Sequence, residues 1–173
     1  MRKICVTILA SLLLASVVVA TAHAGQFGGK KDIAECFHFC IFIDFDLPVA
    51  DELLRSDFVW HYGFVRALAP GEDSLAGAEA INGVKNAASA MNAGFDDLGV
   101  VHDEVFSHGD LVEVRWTASG VHNRTLLGFP PTGCTIIFTG NDLFRIKKGK
   151  IAELWQETDL RDLFAKLQQP SCQ

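Results

Sequence analysis

Residues 109–159 constrain the fold more tightly than any other part of the chain. Val112, Val114, Trp116 and Ala118 put an apolar side chain at every second position, the period of a strand with one buried face. Gly128-Phe129-Pro130-Pro131-Thr132-Gly133 then breaks the pattern. Proline cannot donate to a sheet ladder, so this stretch is a connecting loop. A second alternating run covers residues 134–147 and a third covers residues 150–159. Only Lys148-Gly149 separates them, the length of a tight hairpin, with Gly149 free to take positive φ. The pattern predicts three long antiparallel strands in succession.

The second run contains an anomaly. Ile136, Phe138, Phe144 and Ile146 share a face, and Gly140 and Asp142 fall on it too. A carboxylate in register with Phe and Ile is buried or lines a cavity. Burial disfavours the charged form of such a group, which is how proteins make a general acid or base that works near neutral pH. In the third run Ile151, Glu153, Trp155, Glu157 and Asp159 share a parity, and His122 closes the first strand. If the sheet curls, His122, Asp142 and Trp155 converge, with Glu153 or Asp159 beside them. Asp142 then takes a proton from carbon next to a carbonyl, and His122 donates to the developing enolate oxygen. Trp60, Trp116, Phe138 and Trp155 supply an apolar wall. The alternative for Asp142 is a carboxylate bonded to backbone at a bulge made by Gly140.

Gly109-Asp110, Arg115-Trp116, Gly120-Val121-His122, the Gly128–Gly133 loop, Thr139-Gly140-Asn141-Asp142 and Gly149-Lys150-Ile151-Ala152-Glu153-Leu154-Trp155 together resemble the SnoaL-like polyketide (ester) cyclase family. The resemblance covers residues 30–167. It implies an α+β fold of the nuclear-transport-factor-2-like type: a cone made of a curved, mostly antiparallel sheet, with about three N-terminal helices on its concave face. It also implies cofactor-free intramolecular aldol ring closure by an Asp acid/base with a neighbouring His, a pocket residue at His61, and pairing of two cones through the outer sheet face. Asn123-Arg124 departs from the Thr-Gly that often follows the His in that family. The fold hosts enzymes and plain binders alike. A cyclase or isomerase acting on a small apolar carbonyl compound therefore stands beside a non-catalytic binder of a small hydrophobic ligand. An interaction module using the convex sheet face is the third option.

The N-terminus reads as a secretory signal. Arg2 and Lys3 precede an apolar run over residues 4–20, and Ala22-His23-Ala24 suits a signal peptidase. An uncleaved anchor is the alternative, but the run is short for a span. The expected organisation is residues 1–24 as signal and 25–173 as a single domain, periplasmic or secreted, with no membrane attachment after cleavage. Cleavage removes two of 15 basic residues and none of 21 acidic ones, leaving 13 − 21 = −8. So acidic a chain is a poor nucleic-acid binder. Ile137 and Leu143 put apolar side chains on the face opposite Asp142, which predicts a homodimer.

Residues 30–43 read as a first helix, apolar nearly all round and hence buried. Pro48 starts a short second helix through residue 54, and residues 78–95 form an Ala-rich third. Strands are expected over residues 56–62, with Phe58, Trp60 and Tyr62 on one face, and over residues 96–106, with Leu98, Val100 and His102 on one face. Cys36, Cys40, Cys134 and Cys172 remain after signal cleavage, and an exported chain can form disulfides. On an α-helix, Cβ atoms four residues apart lie about 5–6 Å apart, too far for the roughly 3.5–4.5 Å of a disulfide. Cys36 and Cys40 are thus expected to find other partners or to stay as buried hydrophobes. His38 points away from both on a helix, which disfavours a metal site there. No zinc spacing, phosphate loop, dinucleotide glycine pattern or nucleophile elbow occurs, so no metal or cofactor is expected.

Overall fold

A computed structural model describes residues 28–63, 71–169 and 172; the expected signal segment lies outside the described residues. The chain is mixed α+β, with one curved, unclosed sheet of six strands in the order β2-β1-β6-β5-β4-β3. The strands are β1 (Leu54–Tyr62), β2 (Ser74–Ala76), β3 (Phe95–His108), β4 (Leu111–His122), β5 (Thr135–Lys147) and β6 (Lys150–Thr158). β1 and β6 run parallel, and the other neighbours are antiparallel. At the β5–β6 hairpin both Lys148 and Gly149 have positive φ, 53° and 74°, which matches the twist of the flanking strands.

Helix α1 (Lys30–Cys36) runs directly into a π-helical segment, Phe37–Ile43. Asp44 N donates to Phe39 O at 2.8 Å, a bond to the fifth residue back. The wider winding corrects the expectation for the cysteines. Cys36 and Cys40 form a disulfide across a Cα–Cα distance of 4.8 Å, because π winding brings residues four apart closer than α winding does. A second disulfide joins Cys134, just before β5, to Cys172. Helix α2 (Val49–Leu53) comes next, and then α3 (Gly77–Gly94).

Small residues let α3 lie close on the sheet. Its buried face is Ala80, Gly83, Val84, Ala87, Ala88, Met91 and Gly94. A Cβ on Gly83 would stand 3.2 Å from the Trp60 ring, tighter than ordinary contact. Helix α4 (Leu160–Leu167), which periodicity did not predict, closes the domain against β5.

The core fills the concave face, with Val112, Val114, Trp116 and Ala118 of β4 facing Ile136, Phe138, Phe144 and Ile146 of β5. Bulges bend the sheet around it, since an extra residue on one strand increases local twist. Two lie in the β3–β4 pairing, between Asp96 and Gly99 and between His102 and Glu104. Another separates Arg145↔Glu153 from Ile146↔Ile151 and leaves Ala152 without an opposite number.

Candidate active site

Asp142 is fully buried on the concave face, between Phe138 and Phe144 in register. Its Oδ2 lies 2.9 Å from Nε2 of His38 and accepts a bond from Gln156 Nε2 at 3.2 Å. The other nitrogen of His38, Nδ1, is 3.0 Å from Nε2 of His102. Three side chains from the π-helical segment, β3 and β5 thus form one line of hydrogen bonds. With Asp142 ionised and both rings neutral, one tautomer pair fits: His102 donates to His38, and His38 donates to Asp142. Two acceptor atoms remain at the ends, Asp142 Oδ1, which is buried without a partner among the described residues, and His102 Nδ1. His38 is only 6% exposed, while His102 is half-buried at the outer end. Burial, followed by the neighbouring His38, pushes the His102 pKa down to about 4, against the opposing pull of Asp142 and Asp103. His102 is thus neutral at pH 7.

His38 and Gln156 also form part of an apolar pocket, otherwise walled by Phe42, Ile43, Met91, Leu98, Val100, Trp116, Ala118 and Phe138. Its free cavity is small, about 40 Å³. Asp142 does not reach the wall and stands behind His38 and Gln156. Trp116 owes its position to Gly140, its cross-strand partner. A Cβ there would sit 2.2 Å from the indole, so no other residue lets the ring lie flat over β5. The indole N–H of Trp116 is buried with no partner among the described residues. Among these residues no three His, Cys, Asp or Glu side chains are placed to hold a metal ion.

Of the residues singled out from sequence, Trp116 and Phe138 line this pocket, Asp142 backs it, and the others lie elsewhere. His122 is not the partner of Asp142. It pairs with Phe95, whereas Asp142 pairs with Val114; eight residues of β4 separate the two positions, about 26 Å at the rise of a strand. His122 is buried, its Nδ1 lies 3.3 Å from Thr132 Oγ1, and burial holds its pKa below the usual histidine value. Trp60 is inside but is covered by α3 at Gly83 and does not line the pocket.

Glu153 and Trp155 are on the outer face. The extra residue Ala152 reverses parity after Ile151, so Leu154 and Gln156 turn inward in their place. His61 joins them there. Its ring stacks on Trp155 at 5.3 Å and 7° and bonds Glu153 at 3.0 Å, while Arg145 lies over the indole and donates to Glu153 at 3.1 Å. Asp159 caps α4, accepting a bond from Asp162 N at 3.0 Å.

His38 and His102 were missed as site residues. Both carried a signal. His102 continues the apolar register of Leu98 and Val100, and His38 sits in a helix with no polar face to hide on.

A curved sheet bulged around a helix-covered interior, with an apolar pocket and a buried carboxylate behind its wall, is the nuclear-transport-factor-2-like cone. Within that class the sequence matches the SnoaL-like polyketide cyclase family over residues 45–167, and the chain belongs to it. Solved structures share the fold. IdmH of Streptomyces antibioticus, a polyketide cyclase candidate, is 26% identical and superposes with a TM-score of 0.67, over 80% of this chain and 97% of that one. TsrD of Streptomyces laurentii is 23% identical with a TM-score of 0.64, over 80% and 93% of the two chains. A SnoaL-like polyketide cyclase candidate from Jannaschia sp. CCS1 is 20% identical with a TM-score of 0.65, over 82% and 92%. None of the curated proteins matches significantly.

Proposed function

We propose that this protein is a cofactor-free cyclase or isomerase for a small apolar carbonyl compound, working by proton transfer through Asp142 and His38. Family membership supports the cyclase or isomerase class. The observation that carries the finer reading is a fully buried carboxylate bonded to a histidine in the wall of an apolar pocket. In this reading the substrate displaces His102 from His38, the member of the chain that lines the pocket. The freed His38 Nδ1 accepts a proton from carbon next to a carbonyl while Asp142 steadies the ring through Nε2. The electron pair moves into an enolate held in the pocket. The enolate carbon attacks a second carbonyl of the same molecule, a C–C bond forms, and the proton returns to the new alkoxide. Nothing is oxidised or reduced overall.

A second reading rests on the same pocket. Because Asp142 stands behind His38 and Gln156, its interior suits an apolar ligand that is held without being turned over. Thermal-shift screening against small ketones, lactones, steroids and fatty acids identifies what binds. Asp142→Asn is then the decisive variant. Catalysis predicts that binding survives while turnover falls by roughly 10²–10⁴, the range of general acid–base catalysis; a wild type that binds but never turns over supports the binder. Unchanged turnover in Asp142→Asn rules out the catalytic assignment.

We further propose export. The segment ending Ala22-His23-Ala24 has the composition of a cleaved signal, and among the described residues no helix is long and apolar enough to cross a membrane. Mass spectrometry of protein from its host should find a chain starting at Gly25. A full-length cytoplasmic chain would refute this.

A further inference from the structure

We propose that the Cys36–Cys40 disulfide is a positioning element for the Asp142–His38–His102 chain: the bond holds the winding that aims His38, and its reduction parts the chain. The cysteines flank His38, and their Cα–Cα distance of 4.8 Å is shorter than the roughly 6 Å that α winding gives at this spacing. The bond therefore favours the π winding over the α winding. A π turn carries one more residue than an α turn and is the rarer winding, found most often at functional sites.

The ends of the segment are anchored. Upstream, Ile33 and Ala34 are buried in the core; downstream, Asp46 N bonds Cys40 O at 2.9 Å. His38 has little slack between them, because its two nitrogens meet Asp142 and His102 at 2.9 and 3.0 Å. Without the cross-link the segment can rewind as α-helix, and removing one residue from a turn rotates the next turn by about 100°. That rotation moves Phe42 and Ile43, which wall the pocket, and takes His38 off its partners.

Chemical access is through Cys40, which is half-buried, whereas Cys36 is only 7% exposed. A dithiol reductant supplies two electrons and two protons; Cys36 and Cys40 become thiols and the reductant becomes a disulfide. The inference shares His38 with the proposed function, but its test reads the histidines themselves and does not depend on turnover, so either idea can fail alone.

The test is a pH titration of the histidine ring signals in the 15N-labelled protein by NMR. It compares the oxidised wild type with Cys36→Ala/Cys40→Ala, in which Cys134–Cys172 is retained, and with wild type reduced by dithiothreitol. In the oxidised protein His102 should titrate near 4, where burial and His38 hold it against Asp142 and Asp103. In the double variant and in reduced wild type it should move toward 6.5, with His122 left unchanged in the double variant; reduction of the wild type also opens Cys134–Cys172, whose Cys134 O accepts from His122 N. An unmoved His102 in folded protein overturns the proposal. Loss of all tertiary signals together in both samples also overturns it, since the bond would then hold the whole fold and not this segment.

Discussion

His102 links the site to solvent, and its environment sets a sign for the pH dependence of stability. Its folded-state pKa of about 4 lies below the ordinary 6.5. Between those values the unfolded chain binds more protons, so stability rises with pH through the window and is lost as pH falls toward 4. The groups facing the ring are His38 from the helix, Asp142 from β5 and Asp103 on its own strand. His122 is held down by burial as well and acts in the same direction. Melting temperature should therefore drop between pH 7 and 4, and His102→Gln, whose amide nitrogen can replace Nε2, should flatten part of that drop. Equal slopes in the two proteins would show that His102 does not titrate in this window. Gly140 is the other residue whose identity shapes the site. It was visible in the sequence only as a gap in an apolar register, and the indole lying on it supplies the reason.

At the scale of elements, the turn from β6 into α4 gives Asp159 a capping role that alternation alone does not show. Asp159 follows Glu153 and Trp155 in simple alternation, which placed it beside a ligand. The strand ends at Thr158 instead, and the carboxylate satisfies one of the free N–H groups at the start of α4. Asp159→Ala should cost about 1 kcal/mol of stability, the usual value of such a cap, and leave ligand affinity unchanged. Chemical denaturation and a binding isotherm check both halves, and a loss of affinity at constant stability would return Asp159 to the site. Ala152 teaches a related lesson. Period-two reasoning assumes an unbroken ladder, and a single unpaired residue moves every later side chain to the other face. Nothing in Ile151-Ala152-Glu153 announces that break, because a bulge is set by how the two strands must bend around the helices.

For the molecule as a whole, the outer sheet face remains largely uncovered. Val101, Phe106 and Ile137 are 63%, 60% and 51% exposed there, and Leu143 adds a half-buried apolar side chain. We propose that two cones pair through this face. Sedimentation at micromolar concentration should show a dimer, and Ile137→Asp should give a folded monomer; wild type sedimenting only as monomer would refute the pairing. The sequence by itself determined the three central strands, the Lys148-Gly149 hairpin, the small-residue helix α3 and the inward direction of Asp142, because each depends on backbone sterics and side-chain alternation within a few residues. Only the tertiary structure decided that Asp142 meets His38, 104 positions away, rather than His122 on the neighbouring strand. It also decided that Cys36 and Cys40 are bonded and that His61, Glu153 and Trp155 gather outside the cone. Those outcomes depend on sheet curvature and on a helix whose winding departs from 3.6 residues per turn, and both are set by packing between distant segments.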